Sequence, residues 1–255
     1  EDVLEIAMLF KGTRTLSGAP VAVGRDIGDS DIFIELSTGG VEARFIKPAN
    51  DLSLLKQSDS LQIVGLGSAT TGSLQLSLYE DAQLIEQTLK DTIAYVFRPS
   101  NNQEQVVFSL IADNGEGLSD TTTTVVVVRP DELSSIPRPE QTQDGIHYVS
   151  DNSVLLSLFA PYKDFVYVLG DFNDWTPTAD YLMHKETQGA DSTWFWLEID
   201  GLTPGQEYAF QYLVDGELRI ADPYSELTLH PDDDPYIPSN VYPDIPAYPY
   251  GKTSF

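Results

Sequence analysis

The pattern of hydrophobic and polar positions predicts short β-strands along most of the chain. Residues 74–79 alternate leucine with polar or aromatic side chains, which is typical of a strand that buries one face. Residues 121–128 are all β-branched and favour a buried strand over a helix. Residues 81–90 could form a helix, but the neighbouring pattern favours two strands that turn at Asp81. The strands predicted in this half of the chain span residues 61–66, 73–80, 92–97, 106–112 and 121–128.

A second group of strands follows a proline-rich stretch. Residues 166–169 form a short apolar run, and from Tyr208 the alternation is clean. Phe210, Tyr212 and Val214 should face one way, and the residues between them the other. Asp215-Gly216 is then a hairpin turn signal, because such a turn needs residues that tolerate positive φ.

These elements predict an all-β fold class of tandem immunoglobulin-like β-sandwiches. Apolar segments at residues 3–10 and 31–36 are too few to bury a core alone, which suggests the end of a truncated sandwich. Prolines at positions 130, 137 and 139 indicate a semi-rigid linker. The predicted domains are 1–41 (closing strands of a truncated, carbohydrate-binding-like sandwich), 42–130 (an immunoglobulin-like spacer), 131–142 (the proline-rich segment), 143–240 (a second complete sandwich) and 241–255 (an extended strap).

The charge balance excludes several partners. Forty acidic residues oppose fourteen basic ones among 255, for a net charge of −26. Such a chain repels phosphate, so neither nucleic acid nor an anionic membrane surface is an expected partner. The chain has no cysteine, which excludes disulfides and thiolate metal sites. No run of eighteen apolar residues is present, so no membrane span is predicted.

Five motifs between residues 159 and 224 resemble one known family. They are FAP (159–161), GDFNDW (170–175), GLTPG (201–205), VDG (214–216) and ADPY (221–224). In order and spacing they resemble carbohydrate-binding module family 48, over roughly residues 143–240. Members of that family are E-set immunoglobulin-like domains found ahead of the catalytic barrel in α-amylase-type enzymes of glycoside hydrolase family 13.

The resemblance implies a non-catalytic N-terminal region of a secreted or surface glycosidase acting on α-glucans such as starch. Its partner would be its own C-terminal catalytic barrel, and the strap resembles the stretch that connects the accessory domain to the barrel in bacterial family 13 enzymes. Its location would be extracellular, cell-surface or periplasmic. Two alternatives stay open: a stand-alone surface glycan-binding protein, or an immunoglobulin-like adhesion or scaffold protein. The sequence that follows Phe255 would separate them.

The resemblance also implies a sugar site, of which this sequence retains half. Trp175 stands where starch-binding members place a stacking tryptophan, and Asn240 matches an asparagine that holds a sugar hydroxyl. Leu218 replaces the second stacking tryptophan, and Gln211 replaces a lysine. We therefore expect weak α-glucan binding or none at this site. The alternative role of Trp175 is to pack its turn against the sandwich or against the barrel.

Two further tryptophans suggest another carbohydrate-binding surface. Trp194 and Trp196 share one face of a predicted strand, opposite Phe195 and Leu197. One of the two faces must therefore lie outside the core or in an interface. An exposed tryptophan pair would form a platform for sugar rings, and contact between domains is the alternative.

No catalytic residue and no cofactor are predicted. Asp171 and Asp174 fit a turn that caps its own amides, and the barrel motifs of the resembling family, with their Asp nucleophile and Glu acid, are absent. The sequence predicts no metal site with a recognised pattern. Closely spaced aspartates offer hard oxygen ligands for a structural calcium, without the twelve-residue EF-hand pattern; they are Asp26, Asp29 and Asp31 in one run and Asp232, Asp233 and Asp234 in another.

Overall fold

The computed structural model describes residues 21–25, 31–34, 40–189, 191–225, 227–243 and 245–249. Within these ranges the chain forms strands and three short 3-10 helices, and no α-helix occurs there. The strands are β1 (Val21–Arg25), β2 (Asp31–Ile34), β3 (Val41–Lys47), β4 (Leu52–Lys56), β5 (Leu61–Ala69), β6 (Gln75–Glu80), β7 (Gln83–Thr88), β8 (Thr92–Phe97), β9 (Gln105–Asp113), β10 (Ser119–Arg129), β11 (Gly145–Ser150), β12 (Ser153–Phe159), β13 (Val166–Gly170), β14 (His184–Thr187), β15 (Thr193–Ile199), β16 (Phe210–Val214) and β17 (Leu218–Ile220).

The strands pair into five sheets. In hydrogen-bonded order these are β1-β2, β3-β5-β8, β4-β10-β9-β6-β7, β11-β12-β15-β14 and β13-β16-β17. The pairing of β4 with β10 is parallel, with Leu52 opposite Val125. The predicted fold class, all-β with immunoglobulin-like sandwiches, is confirmed. The predicted strand at residues 3–10 lies outside the described residues.

The described residues divide into two compact units. The first comprises the residues up to Ile46 together with Val64–Ala94 and Ser109–Thr123, and the second comprises Lys47–Ile63, Tyr95–Phe108 and the residues from Thr124 onward. The predicted boundaries at 41/42, 130/131, 142/143 and 240/241 stay predictions.

The first unit buries leucine, isoleucine and alanine side chains, and two strand glycines make room for them. A Cβ at Gly65 would lie 2.6 Å from Leu110 Cδ2 and 3.1 Å from Ile93 Cγ2. A Cβ at Gly67 would likewise overlap the side chain of Leu76. Glycine in a strand interior is unfavourable by itself, so here it marks a close approach of neighbouring side chains.

The strands β6 and β7 confirm the hairpin predicted for residues 81–90. Asp81 and Ala82 turn with φ of 46° and 68°, and Leu76 pairs with Thr88 across the hairpin. A helix was the alternative for this stretch. The hairpin forms instead of the helix because strand β6 fully buries Leu76 and Leu78 on one face.

In the second unit, one hydrophobic core lies between two sheets. The sheet β11-β12-β15-β14 and the sheet β13-β16-β17 both contribute buried side chains to it, which makes this part of the chain a β-sandwich. Its buried members are Leu156, Leu158, Val166, Val168, Met183, Phe195, Leu197, Ile199, Tyr212 and Val214.

Strand β13 and most of β16 are buried on both faces, whereas β17 is partly exposed. Every residue of β13 is buried, although strands of an antiparallel sheet commonly leave one face to water. The predicted alternation in β16 is confirmed, since Tyr212 and Val214 face the sandwich core. Leu213, between them, faces a second cluster on the other side.

That second cluster, called here the outer cluster, joins the sheet to strands β4 and β10. Its buried members are Val127, Phe165, Tyr167, Leu169, Trp175 and Leu213, with Leu52, Leu54 and Val125 packed against them. Burying an aliphatic or aromatic side chain contributes about 1.5–3 kcal/mol. Residues 144–225 therefore gain stability from residues that precede them in the chain.

The proline-rich segment (residues 131–142) is bound along β14 rather than free. Ile136 N donates to Lys185 O at 2.7 Å, and Thr187 N donates to Ser135 Oγ at 3.0 Å. The indole Nε1 of Trp196 donates to Ile136 O at 3.1 Å. An extended segment was predicted; its attachment to the sheet was not, because it depends on residues about fifty positions away.

Candidate functional site

The structure places Trp175 inside the outer cluster. Only 8% of the residue is exposed, and its backbone adopts a positive φ of 59°. The indole Nε1 donates to Asp171 Oδ1 at 3.0 Å. This geometry supports the alternative role of Trp175, in which its ring packs the GDFNDW turn, because a stacking platform needs an exposed ring face.

The turn at residues 170–175 follows β13 and is hydrogen-bonded to Ala209, which directly precedes β16. Asp171 Oδ2 accepts from Ala209 N at 2.8 Å, while Asn173 Oδ1 accepts from Gly170 N at 2.9 Å. The sequence predicts that Asp171 caps amides of its own turn. Instead Asn173 does so, and the carboxylate of Asp171 ties the turn to β16 and to the indole of Trp175.

Two polar groups on the outer-cluster face of this sheet have no hydrogen-bond partner among the residues that the structure describes. The hydroxyl of Tyr167 and the Nε2 of Gln211 are both buried without one. Burial raises the pKa of Tyr167 to about 12. Gln211, which stands where the resembling family has a lysine, is 8% exposed, so it offers little surface to a sugar.

Asn240 and Leu218 are exposed. Asn240 lies in a turn in which Val241 N donates to Pro238 O at 2.8 Å, and Leu218 is 51% exposed at the start of β17. The exposed Asn240 and Leu218 thus contrast with the buried Trp175 and Gln211. The predicted half-site stays a prediction, to be tested by titration.

Trp194 and Trp196 lie on the outer face of β15, as predicted from the alternation. The strand buries Phe195, Leu197 and Ile199 and leaves the two tryptophans partly buried. Arg138 Cζ sits 4.3 Å from the ring centroid of Trp194, and the Trp196 ring lies 4.6 Å from that of His184. The proline-rich segment therefore takes up part of this face, and its role as a sugar platform stays a prediction.

Arg138 is held by carboxylates beneath the tryptophans. Its Nε pairs with Glu186 Oε2 at 2.7 Å and its Nη1 with Asp144 Oδ1 at 3.2 Å. Burial alone would raise the pKa of Glu186, but hydrogen bonds from Gln188 and Arg138 outweigh it and hold the pKa below its usual value. This buried cation is a feature that sequence reasoning missed.

A groove of about 1020 Å³ opens between β11, β16 and the C-terminal residues, within the second unit. Five of its lining residues are tyrosines: Tyr148, Tyr208, Tyr224, Tyr242 and Tyr248. None of these was predicted as a site residue. The repeated tyrosines among the C-terminal prolines were a visible signal, but their convergence with Tyr148 depends on the fold.

Within the described ranges, no group of three or more His, Asp or Glu side chains is arranged to hold a metal ion. Asp234 Oδ2 accepts from His230 N at 2.8 Å, and Asp233 lies 3.2 Å from the His230 ring. Asp26 and Asp29 lie outside the described residues, so their calcium site stays a prediction.

In the part of the chain that the structure describes, no helix is long and apolar enough to cross a bilayer.

The sandwich carries the GDFNDW turn (residues 170–175) and the VDG hairpin (residues 214–216). Residues 144–225 match the family model of carbohydrate-binding module 48, the isoamylase N-terminal domain. The resemblance predicted from the five motifs is confirmed by this match. No curated protein sequence matches the chain.

Several solved structures resemble the chain at low identity. The fibronectin(III)-like modules of Clostridium thermocellum CbhA share 11% identity over 70% of this chain and 88% of theirs, with a TM-score of 0.33. Bacteroides ovatus SGBP-B, solved with a mixed-linkage heptasaccharide, shares 12% identity over 70% of this chain and 45% of its own, with a TM-score of 0.28. The Group B Streptococcus pullulanase SAP shares 16% identity over 72% of this chain and 24% of its own, with a TM-score of 0.26. The chain thus spans about a quarter of that pullulanase.

Proposed function

We propose that this chain is a non-catalytic accessory region of an extracellular or cell-surface glycosidase that acts on α-glucans such as starch. The observation that carries the proposal is the match of residues 144–225 to the isoamylase N-terminal domain. Its partner is a catalytic barrel of the α-amylase type, and it contacts α-glucan weakly. The net charge of −26 agrees with an uncharged polymer as ligand and opposes an anionic one.

Two carboxylates of this region, Asp171 and Glu186, have structural partners. Glycoside hydrolysis needs an acid and a nucleophile or base on either side of the scissile bond. Asp171 accepts hydrogen bonds on both oxygens, from Trp175 and Ala209. Glu186 is paired with Arg138. Both carboxylates act in folding, which supports an accessory role for this region.

Incubation of the pure chain with soluble starch, pullulan and cyclodextrins tests the non-catalytic part. We expect no reducing sugar above a buffer blank. Reproducible turnover that a single Asp or Glu substitution abolishes would overturn it. A second test is the encoded sequence that follows Phe255: an amylase-type barrel supports the proposal, and further sandwiches would favour an adhesion or scaffold protein instead.

A further inference from the structure

Asp144 connects the proline-rich segment to the C-terminal side of the sandwich. Its Oδ1 pairs with Nη1 of Arg138 at 3.2 Å, and its Oδ2 accepts from the hydroxyl of Tyr224 at 3.4 Å. Arg138 belongs to the segment by which the chain enters the sandwich, and Tyr224 follows β17, the last strand of the sandwich. One carboxylate therefore joins two segments that are distant in the sequence.

Tyr224 and Arg138 meet on the face of the sheet β11-β12-β15-β14 that points away from the core. Ser157 stands between two core residues of β12, so its side chain points away from the core. Its Oγ accepts from Arg138 Nη1 at 3.1 Å. Gly145 of β11 is the strand partner of Ser157, and a Cβ at Gly145 would lie 2.7 Å from Tyr224 Cβ. The tyrosine and the guanidinium thus occupy neighbouring positions on adjacent strands.

The backbone at Tyr224 is fixed more firmly than its ring. Tyr224 N donates to Asp222 Oδ1 at 2.7 Å, and the buried Asp222 also accepts from the hydroxyl of Tyr212 at 2.8 Å. Tyr224 itself is 54% exposed, so burial restricts its χ1 angle only weakly. The charge of Asp144 is the largest cause that raises the pKa of Tyr224 above its usual value. The rotamer of the ring therefore depends on the contact of its hydroxyl with Asp144.

The guanidinium of Arg138 holds Asp144 in that contact. Glu186 pairs with the same guanidinium at 2.7 Å, so the cation lies between two carboxylates that repel each other. The Glu186 side chain is 12% exposed and also accepts from Gln188 Nε2 at 2.6 Å, whereas the Asp144 side chain is 26% exposed. Loss of the cation should therefore turn the more exposed Asp144 toward water and away from Tyr224.

We infer that Arg138 and Asp144 form a clamp through which docking of the proline-rich segment positions the ring of Tyr224. Both are positioning residues, since they act through the tyrosine. Tyr224 borders the groove of about 1020 Å³, so the segment controls one part of the groove wall. Release of the segment frees the ring and changes the shape of the groove. This conformational device goes beyond the proposed function and does not depend on what the groove binds.

Scalar couplings that report the χ1 angle of Tyr224, measured by NMR on the full chain, test the inference. We expect the couplings of a single staggered rotamer in the parent chain. In Arg138→Ala and in Asp144→Asn this single rotamer should be lost, and the couplings should be averaged over several rotamers. Arg138→Gln should give the same result, because it removes the cation while it keeps a side chain beside Trp194. It replaces Arg138→Ala if that variant fails to fold.

Gly216→Ala is the matched control for a general loss of stability. A Cβ at Gly216 would overlap Leu54, so the substitution strains the hairpin without contact with the clamp. Tyr224 should keep its single rotamer in this variant. Circular dichroism of each variant verifies that the fold is retained.

A single Tyr224 rotamer retained in Asp144→Asn would overturn the clamp. Averaged couplings in Asp144→Asn but in neither Arg138 variant would overturn it too, because the ring would then be positioned without the proline-rich segment. Averaged couplings in Gly216→Ala as well would assign the motion of the ring to general loosening of the sandwich and would equally contradict the inference.

Discussion

The guanidinium of Arg138 lies over the indole of Trp194, with Cζ 4.3 Å from the ring centroid. The contact joins the proline-rich segment to the outer face of β15. Glu186 and Asp144 complete the surroundings of the cation, and Ser157 Oγ accepts from its Nη1 at 3.1 Å. One side chain thus connects the segment to strands β12, β14 and β15.

Replacing Arg138 with alanine should destabilise the chain by about 3 kcal/mol, because removing one partner leaves a largely buried carboxylate without its cation. Urea unfolding measures the loss. The matched control is Lys163→Ala, whose ion pair with Asp215 is more exposed and should contribute less than about 1 kcal/mol. Equal losses in the two variants would contradict the structural role of Arg138.

The contribution of Glu186 should depend on pH. Its pKa in the folded chain lies below the usual value of 4.5, so the group stabilises the fold above about pH 4.5 and loses this contribution as the pH falls through the lower folded value. Unfolding free energies of the parent chain and of Glu186→Gln, measured between pH 7 and pH 3, should converge at the acid end. A difference that stays constant over this range would be inconsistent with the linkage.

Substitution of Trp175 with alanine should lower the free energy of unfolding, because the indole is a core side chain. The ring is buried among Phe165, Tyr167 and Leu213, and removal of such a ring costs about 3–5 kcal/mol. Leu218→Ala, at an exposed position of the same predicted sugar site, should change stability by less than about 0.5 kcal/mol. If Trp175→Ala unfolds at the same urea concentration as the parent, the ring is not a core residue.

Alanine at Gly216 should be more harmful than alanine at Gly201. Both glycines have positive φ, 78° and 76°, which costs an L side chain about 1–2 kcal/mol. A Cβ at Gly216 would also lie 2.9 Å from Leu54 Cδ1, whereas nothing lies within 4 Å at Gly201. Thermal unfolding should give the lower midpoint for Gly216→Ala; the reverse order would show that the hairpin does not pack on Leu54.

The sequence predicted those elements that local alternation or turn chemistry determines. The faces of β16 followed from its period of two, and the hairpin at Asp215-Gly216 from its need for positive φ. No strand is predicted from the sequence at residues 41–47 or 52–56. Strand β4 is stabilised by its parallel pairing with β10 and by contacts of Leu52 and Leu54 with the outer cluster, which no local pattern reveals.

The candidate site was harder to predict for the same reason. The motif that contains Trp175 identifies the family, but exposure of the indole depends on which strand lies over it. The partners of Arg138 include Ser157 and Glu186, nineteen and forty-eight positions away. Tyr148 and Tyr224 border the same groove although they lie far apart in the sequence. Spacing along a chain does not report such long-range contacts.

The burial of strands β13 and β16 on both faces determines where the chain can be cut. A recombinant fragment limited to residues 144–225, the span of the family match, would lose Val127, Leu52 and Leu54 and expose Tyr167, Leu169 and Leu213. Apolar surface of this kind promotes self-association in solution. Fragments for expression should therefore begin upstream of β4, and a soluble isolated module would require polar substitutions on that face.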